Sequence, residues 1–197
     1  MGLLPLTFAS AWASGINAWA TVLILGLLGR FAHMGGVPDG FQRTDVLIVM
    51  AVLTVVEFVA DKIPYLDSAW DAVSTVIRPI AGTVIGALIA GAQGDLLTIT
   101  LAAVGGVTAL LSHLTKAGLR LAINTSPEPL TNLTASITGD LSVAGVLALA
   151  FANPVPAAIL AGVLLVLTAI ITILLLAQVR RGWRAFRRWL RRDTATA

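Results

Sequence analysis

The sequence predicts an all-α membrane protein, a polytopic bundle of about six transmembrane helices, and three observations carry that prediction. Of 197 residues, 57% are hydrophobic and 12% charged, and the mean hydropathy is +0.92, well outside the balance of soluble domains. Six apolar stretches meet or approach the roughly 20 residues a helix needs to cross about 30 Å of hydrocarbon. Short clusters of turn formers separate them. A backbone in lipid must satisfy its own polar groups, and the alternating strands of a membrane barrel are missing, which leaves helices.

The first span is read at residues 4–30. It has no positive region at its start and stays apolar past residue 20, so a cleaved signal peptide is not expected. Ser14 and Gly15 ahead of Asn17 mark a place where this span could break inside the membrane and expose backbone groups for binding. The alternative is an unbroken helix packed through small residues.

Gly35-Gly36-Val37-Pro38-Asp39-Gly40 leads to a second span at 44–63, closed by Pro64-Tyr65-Leu66-Asp67. Glu57 and Asp61 stand four residues apart on one face near its end, where two carboxylates can share a proton or hold a cation. The third span, 69–92, begins with Asp67 and Asp71 at the same spacing, where the helix dipole favours carboxylates. The plainer expectation is that these acids pair with Lys62, Lys116 and Arg120 at the membrane surface.

The fourth span, 95–123, follows Gly91-Ala92-Gln93-Gly94 and carries His113, Lys116 and Arg120 at i, i+3 and i+7. That polar stripe could contact an anion or lipid headgroup. Alternatively, Lys116 and Arg120 snorkel to the cytoplasmic interface while His113 is hydrogen-bonded inside the bundle. Thr125 or Ser126 before Pro127 and Glu128 reads as a capped start to the fifth span, 127–151. Asn153-Pro154-Val155-Pro156 introduces the sixth, 155–180. Gly82, Gly86, Gly91, Gly105, Gly106, Gly139 and Gly145 allow close helix contacts.

Residues 1–180 thus form one transmembrane domain, and 181–197 a basic amphipathic tail. Seven of the 13 basic residues lie between Arg180 and Arg192, leaving residues 1–179 with 6 basic against 9 acidic. Trp183, Phe186 and Leu190 share a helix face there, so Arg184, Arg187, Arg188 and Arg191 are expected to hold the tail on anionic lipid. A basic tail behind an apolar body lacks the basic folded surface of a nucleic-acid binder, which is therefore not expected. The tail orients the chain with both termini cytoplasmic, in a bacterial inner membrane. Lys62, Lys116 and Arg120 agree with this; Arg30 and Arg43 oppose it weakly.

Asn17, Arg78 and Asp140, from three different spans, fall near the midplane. A buried Arg requires an anion partner, and Asp140 is the first expectation for Arg78, Glu57 the second. The pair is either a substrate or proton site or a structural link between helices. Residues 13–17 parallel 116–120, and residues 60–64 parallel 152–156, which predicts a three-plus-three inverted repeat of the kind transporters use.

Zero cysteines exclude disulfides, thiolate metal sites and a Cys nucleophile, and two histidines leave little metal-binding capacity. With no HExxH or GxSxG motif, no enzyme and no cofactor are expected.

Ser14-Gly15-Ile16-Asn17-Ala18, Glu57 through Pro64 with Asp67 and Asp71, Arg78-Pro79, and Lys116 through Arg120 continuing to Asn124-Thr125-Ser126-Pro127-Glu128-Pro129 together resemble a bacterial membrane family, the domain of unknown function four-one-two-six. The resemblance runs from about residue 9 to 160 and implies one compact membrane domain without implying an activity. Glu57 to Lys62 is also loosely similar to the acidic motif of cation exchangers. There the acids are three apart with Gly before the Asp; here they are four apart after Ala60, and the later half holds no second copy. The leading expectation is a small transporter or channel-like protein for an ion or small polar solute, working as a homo-oligomer or in a membrane complex. The competing one is a noncatalytic scaffold or accessory subunit.

Overall fold

A computed structural model describes residues 2–33, 37–63, 65–91, 93–125 and 129–193. All regular structure among them is helical: α1 (Leu3–Ile16), α2 (Ala18–Ala32), the single turn α3 (Asp39–Gln42), α4 (Thr44–Ala60), α5 (Leu66–Ala90), α6 (Asp95–Ile123), α7 (Pro129–Ala152) and α8 (Pro154–Asp193). Four of them, α5 to α8, are long and apolar enough to cross a membrane. Helix α4, at 17 residues, runs beside them. The helix starts follow local chemistry. Asp67 and Asp95 put carboxylates in the first turns of α5 and α6, and Pro154 opens α8 where a missing N–H costs nothing. The expected cap at Ser126, Pro127 and Glu128 lies outside the described residues.

The first span is not one helix. At Asn17 the backbone turns extended, with φ −151° and ψ 101°, and the chain reverses. Gly15 packs against Ala109 and Ser112, Ile16 reaches Lys116 further along α6, and Phe8 lies near Gly162 of α8, so α1 runs parallel to α6 and α8. Helix α2 then returns. Its Gly26 abuts Phe41 and Leu47, and its Gly29 abuts Val37 and Gln42. Arg30 Nη1 donates to Thr44 Oγ1 at 2.7 Å, bringing the end of α2 to the start of α4. The opposite end of α4 carries Asp61 to Lys116. Helices α1 and α2 therefore form a hairpin whose tip, Asn17, lies inside the bundle.

This path gives no support to the expected three-plus-three repeat. The described N-terminal end lies at one end of the helix bundle and the end of α8 at the other, with α1 and α2 running out and back between them. An inverted repeat requires the first and fourth spans to oppose each other, yet α1 and α6 run together. Residues 116–120, moreover, sit within an unbroken helix where 13–17 end one.

Helix α1 is the hub. Leu6, Ala9, Trp12, Ala13 and Ile16 enter a core with Ile85, Ile89, Val143, Val146, Leu147, Ala157 and Ala161. Helices α5 and α6 approach most closely of all. A side chain at Gly86 would strike the carbonyl of Leu101, and one at Gly105 the carbonyl of Gly82. Helix α8 continues unbroken from the apolar segment into the arginine-rich tail, so the boundary placed at residue 180 falls mid-helix.

Candidate functional site: an ion-paired column under a hairpin tip

Three helix ends converge on the hairpin tip. Asp67 and Asp71 start α5, Glu57 and Asp61 end α4, and Lys116 and Arg120 approach the end of α6. Arg78 lies 12 residues into α5, about 18 Å along its axis. From the surface inward, Asn124 Nδ2 donates to both Asp67 carboxylate oxygens at 3.1 Å. Arg120 Nη1 then spans Asp61 at 2.8 Å and Asp71 at 3.2 Å. Lys116 Nζ lies 2.9 Å from Asp61 Oδ2 and 3.5 Å from Glu57 Oε1. Arg78 Nη2 closes the column, 2.6 Å from Glu57 Oε1 and 3.4 Å from Asp71 Oδ1.

His113 is neutral in this arrangement. Arg78 Nη1 donates to its Nδ1 at 2.7 Å, which leaves the proton on Nε2, 2.9 Å from Thr75 Oγ1. Thr75 Oγ1 in turn donates to the Asp71 carbonyl. Glu57, Asp61 and Asp71 therefore face Arg78, Lys116 and Arg120, all buried, and Asp67, held by Asn124 and Ser68, is a fourth buried carboxylate at the outer end. Charges taken from water survive only when paired this closely.

The same cations solve the backbone problem of the broken helix. The last turn of α1 has no following turn to bond its carbonyls. Arg78 Nη1 donates to the Gly15 carbonyl at 3.1 Å, Lys116 Nζ to Ile16 at 2.7 Å, and Ser112 Oγ to Trp12 at 2.8 Å. Cations at the negative end of a helix dipole are favourable as well. On the other side of the tip, Asn17 Oδ1 accepts from Ala20 N at 2.9 Å and caps α2.

Of the expected residues, Glu57, Asp61, Arg78, His113, Lys116 and Arg120 come together, and Arg78 takes Glu57 rather than Asp140. Asp140 stands apart on α7, accepting from Asn17 Nδ2 at 3.4 Å and facing Lys62 Nζ at 4.0 Å. Lys116 and Arg120 do not snorkel: both are buried, so the surface pairing expected for them occurs in the interior. Asp71 was expected only as a surface acid and Ser112 not at all. The signal for Asp71 was its place seven residues before Arg78 on one helix face. In the tail, Arg187 lies over the Trp183 ring at 5.4 Å and Arg184 Nε donates to the Arg180 carbonyl at 3.4 Å. The side chains of Arg188 and Arg191 lie outside the described residues.

Among the described residues, no group of three His, Cys, Asp or Glu side chains is placed to hold a metal ion. A cavity of about 270 Å³ between α1, α6, α7 and α8 reaches Lys116 and Arg120.

The sequence profile of the domain of unknown function DUF4126 matches residues 4–173, which span the hairpin, the column and the first half of α8. The chain belongs to this family. The family's description assigns no activity. No curated protein and no solved structure matches the chain.

Proposed function

We propose that this protein is a small, noncatalytic transporter or channel-like protein for an ion or small polar solute, working at the hairpin tip. The observation that carries the reading is the carbonyl end of α1, held inside the bundle by Arg78 and Lys116. Non-helical backbone at membrane depth is tolerated where protein buries it or it lines a cavity, and many transporters bind their cargo at the ends of broken helices near the midplane. Ionisable side chains inside a membrane bundle point the same way. A scaffold could be built from unbroken helices at lower cost.

Reconstituted vesicles test the reading by flux across a panel of inorganic ions and small organic ions. Asn17→Ala is expected to cost only about 1 kcal/mol of stability as a lost cap while lowering flux at least tenfold. Close packing around Arg78, which is 1% exposed, favours the second reading, a scaffold or accessory subunit. A complete absence of flux in the unmutated protein would select it.

By charge bias, the end bearing Lys62, Arg120 and the arginine tail faces the cytoplasm, in a cytoplasmic (inner) membrane, and the tail takes anionic lipid. With no native cysteine, single substitutions report sidedness directly. Gly2→Cys and Gln93→Cys are expected to react together with an impermeant reagent from outside, and Thr125→Cys is expected not to. Labelling of Gly2→Cys with Thr125→Cys instead would mean that the first span crosses.

A further inference from the structure

The cavity beside the column has two chemically different parts. Trp12, Ile16 and Leu164 give it an apolar body, and Lys116 and Arg120 stand at one end. Its volume of about 270 Å³ equals roughly nine waters, too small for a phospholipid and suited to a short organic chain. The two cations point to an anion, but they are already neutralised, since Lys116 is held by Asp61, Glu57 and the Ile16 carbonyl. A bare anion would add an uncompensated charge to a buried cluster.

Glu57 offers the compensation. Its Oε1 holds Arg78 and Lys116, while its Oε2, equally buried, has no hydrogen-bond partner. A proton taken from water onto Oε2 forms an O–H bond, neutralises the carboxylate and relaxes its hold on Lys116. The column is then one unit more positive beside the cavity, and an entering anion restores its resting charge. Resting on the transport reading above, we propose that the cavity takes a small organic anion with an apolar body together with one proton, and that Glu57 Oε2 carries the proton. The groups facing Glu57 are Asp61 from α4, Asp71 and Arg78 from α5, and His113, Lys116 and Arg120 from α6; α1 presents carbonyls. His113 is the competing proton site.

The test uses the full chain in phosphatidylcholine vesicles and a terminally brominated octanesulfonate, which stays ionised at every working pH and whose bromine quenches nearby tryptophan. Saturable quenching is expected, absent in Trp12→Phe. Thr168→Phe, which fills the cavity, weakens it at least tenfold, and so does replacing the probe by the brominated alcohol of equal length. Affinity rises by up to about tenfold per unit fall in pH, and an indicator dye records one proton taken up per anion. Glu57→Gln, fixed in the neutral form, binds with pH-independent affinity and takes up no proton, whereas His113→Gln still does. Proton uptake persisting in Glu57→Gln, equal quenching by the alcohol, or full quenching in Thr168→Phe would each overturn the proposal. Probe binding without flux would overturn the transport reading and leave this site standing; flux of another solute without probe binding would do the reverse.

Discussion

Arg78→Met is expected to lower stability by roughly 3–5 kcal/mol, the cost of leaving a buried charge unpaired. Arg78 is 1% exposed, and its guanidinium binds Glu57, Asp71, His113 and the Gly15 carbonyl. Its loss therefore strands a carboxylate and a helix end together. Adding Glu57→Leu should recover much of the deficit, because the remaining pairs among Asp61, Asp71, Lys116 and Arg120 stay balanced. Adding Asp140→Leu should recover nothing, since Asp140 contacts Asn17 and Lys62 instead. Thermal unfolding of the three purified variants in one detergent reads the comparison. Rescue by Asp140→Leu would refute the pairing.

Gly86→Leu should cost about 3 kcal/mol, the upper part of the range for overpacking, and more if α5 and α6 separate. Its new Cβ would fall on the carbonyl group of Leu101, which is backbone and cannot swing aside. Separating these helices also draws Arg78 away from His113. Gly145→Leu is the control: nothing lies within 4 Å of a Cβ there, and its effect should stay within about 0.5 kcal/mol. Comparable losses in both variants would show that the tight pairing of α5 and α6 is not what holds them.

Much of the helix plan was legible because hydropathy and turn residues act locally. The fourth span matches α6 at both ends, 95 and 123, since Gly91 to Gly94 before it and Thr125-Ser126-Pro127 after it are local turn signals. The convergence of Glu57, Asp61, Lys116 and Arg120 was legible from charge alone, because buried charges must find partners. Its depth was not legible. Snorkelling is the cheaper choice for an isolated Lys or Arg, and only the unpaired carbonyls of α1 give Lys116 a reason to stay inside. The hairpin was hidden for the same reason. Residues 4–30 read as one apolar run, with Ser14, Gly15 and Asn17 as the only hint of a break. What stabilises the break comes from Arg78 and Lys116, 63 and 100 residues away. The choice of Glu57 over Asp140 likewise depends on which faces α4 and α7 turn inward, and periodicity in apolar helices this uniform does not reveal that.

Those long separations set the order in which the chain can be completed in its membrane. The hairpin is synthesised before α5 and α6, yet the groups that bond its terminal carbonyls arrive only with them. Until then the tip has no resting place in hydrocarbon, and α1 must wait in the interfacial region or beside the insertion machinery. A segment translated before its partners is thus among the last to reach its final depth, and the ribosome must deliver at least as far as Lys116 before the centre of the molecule can close.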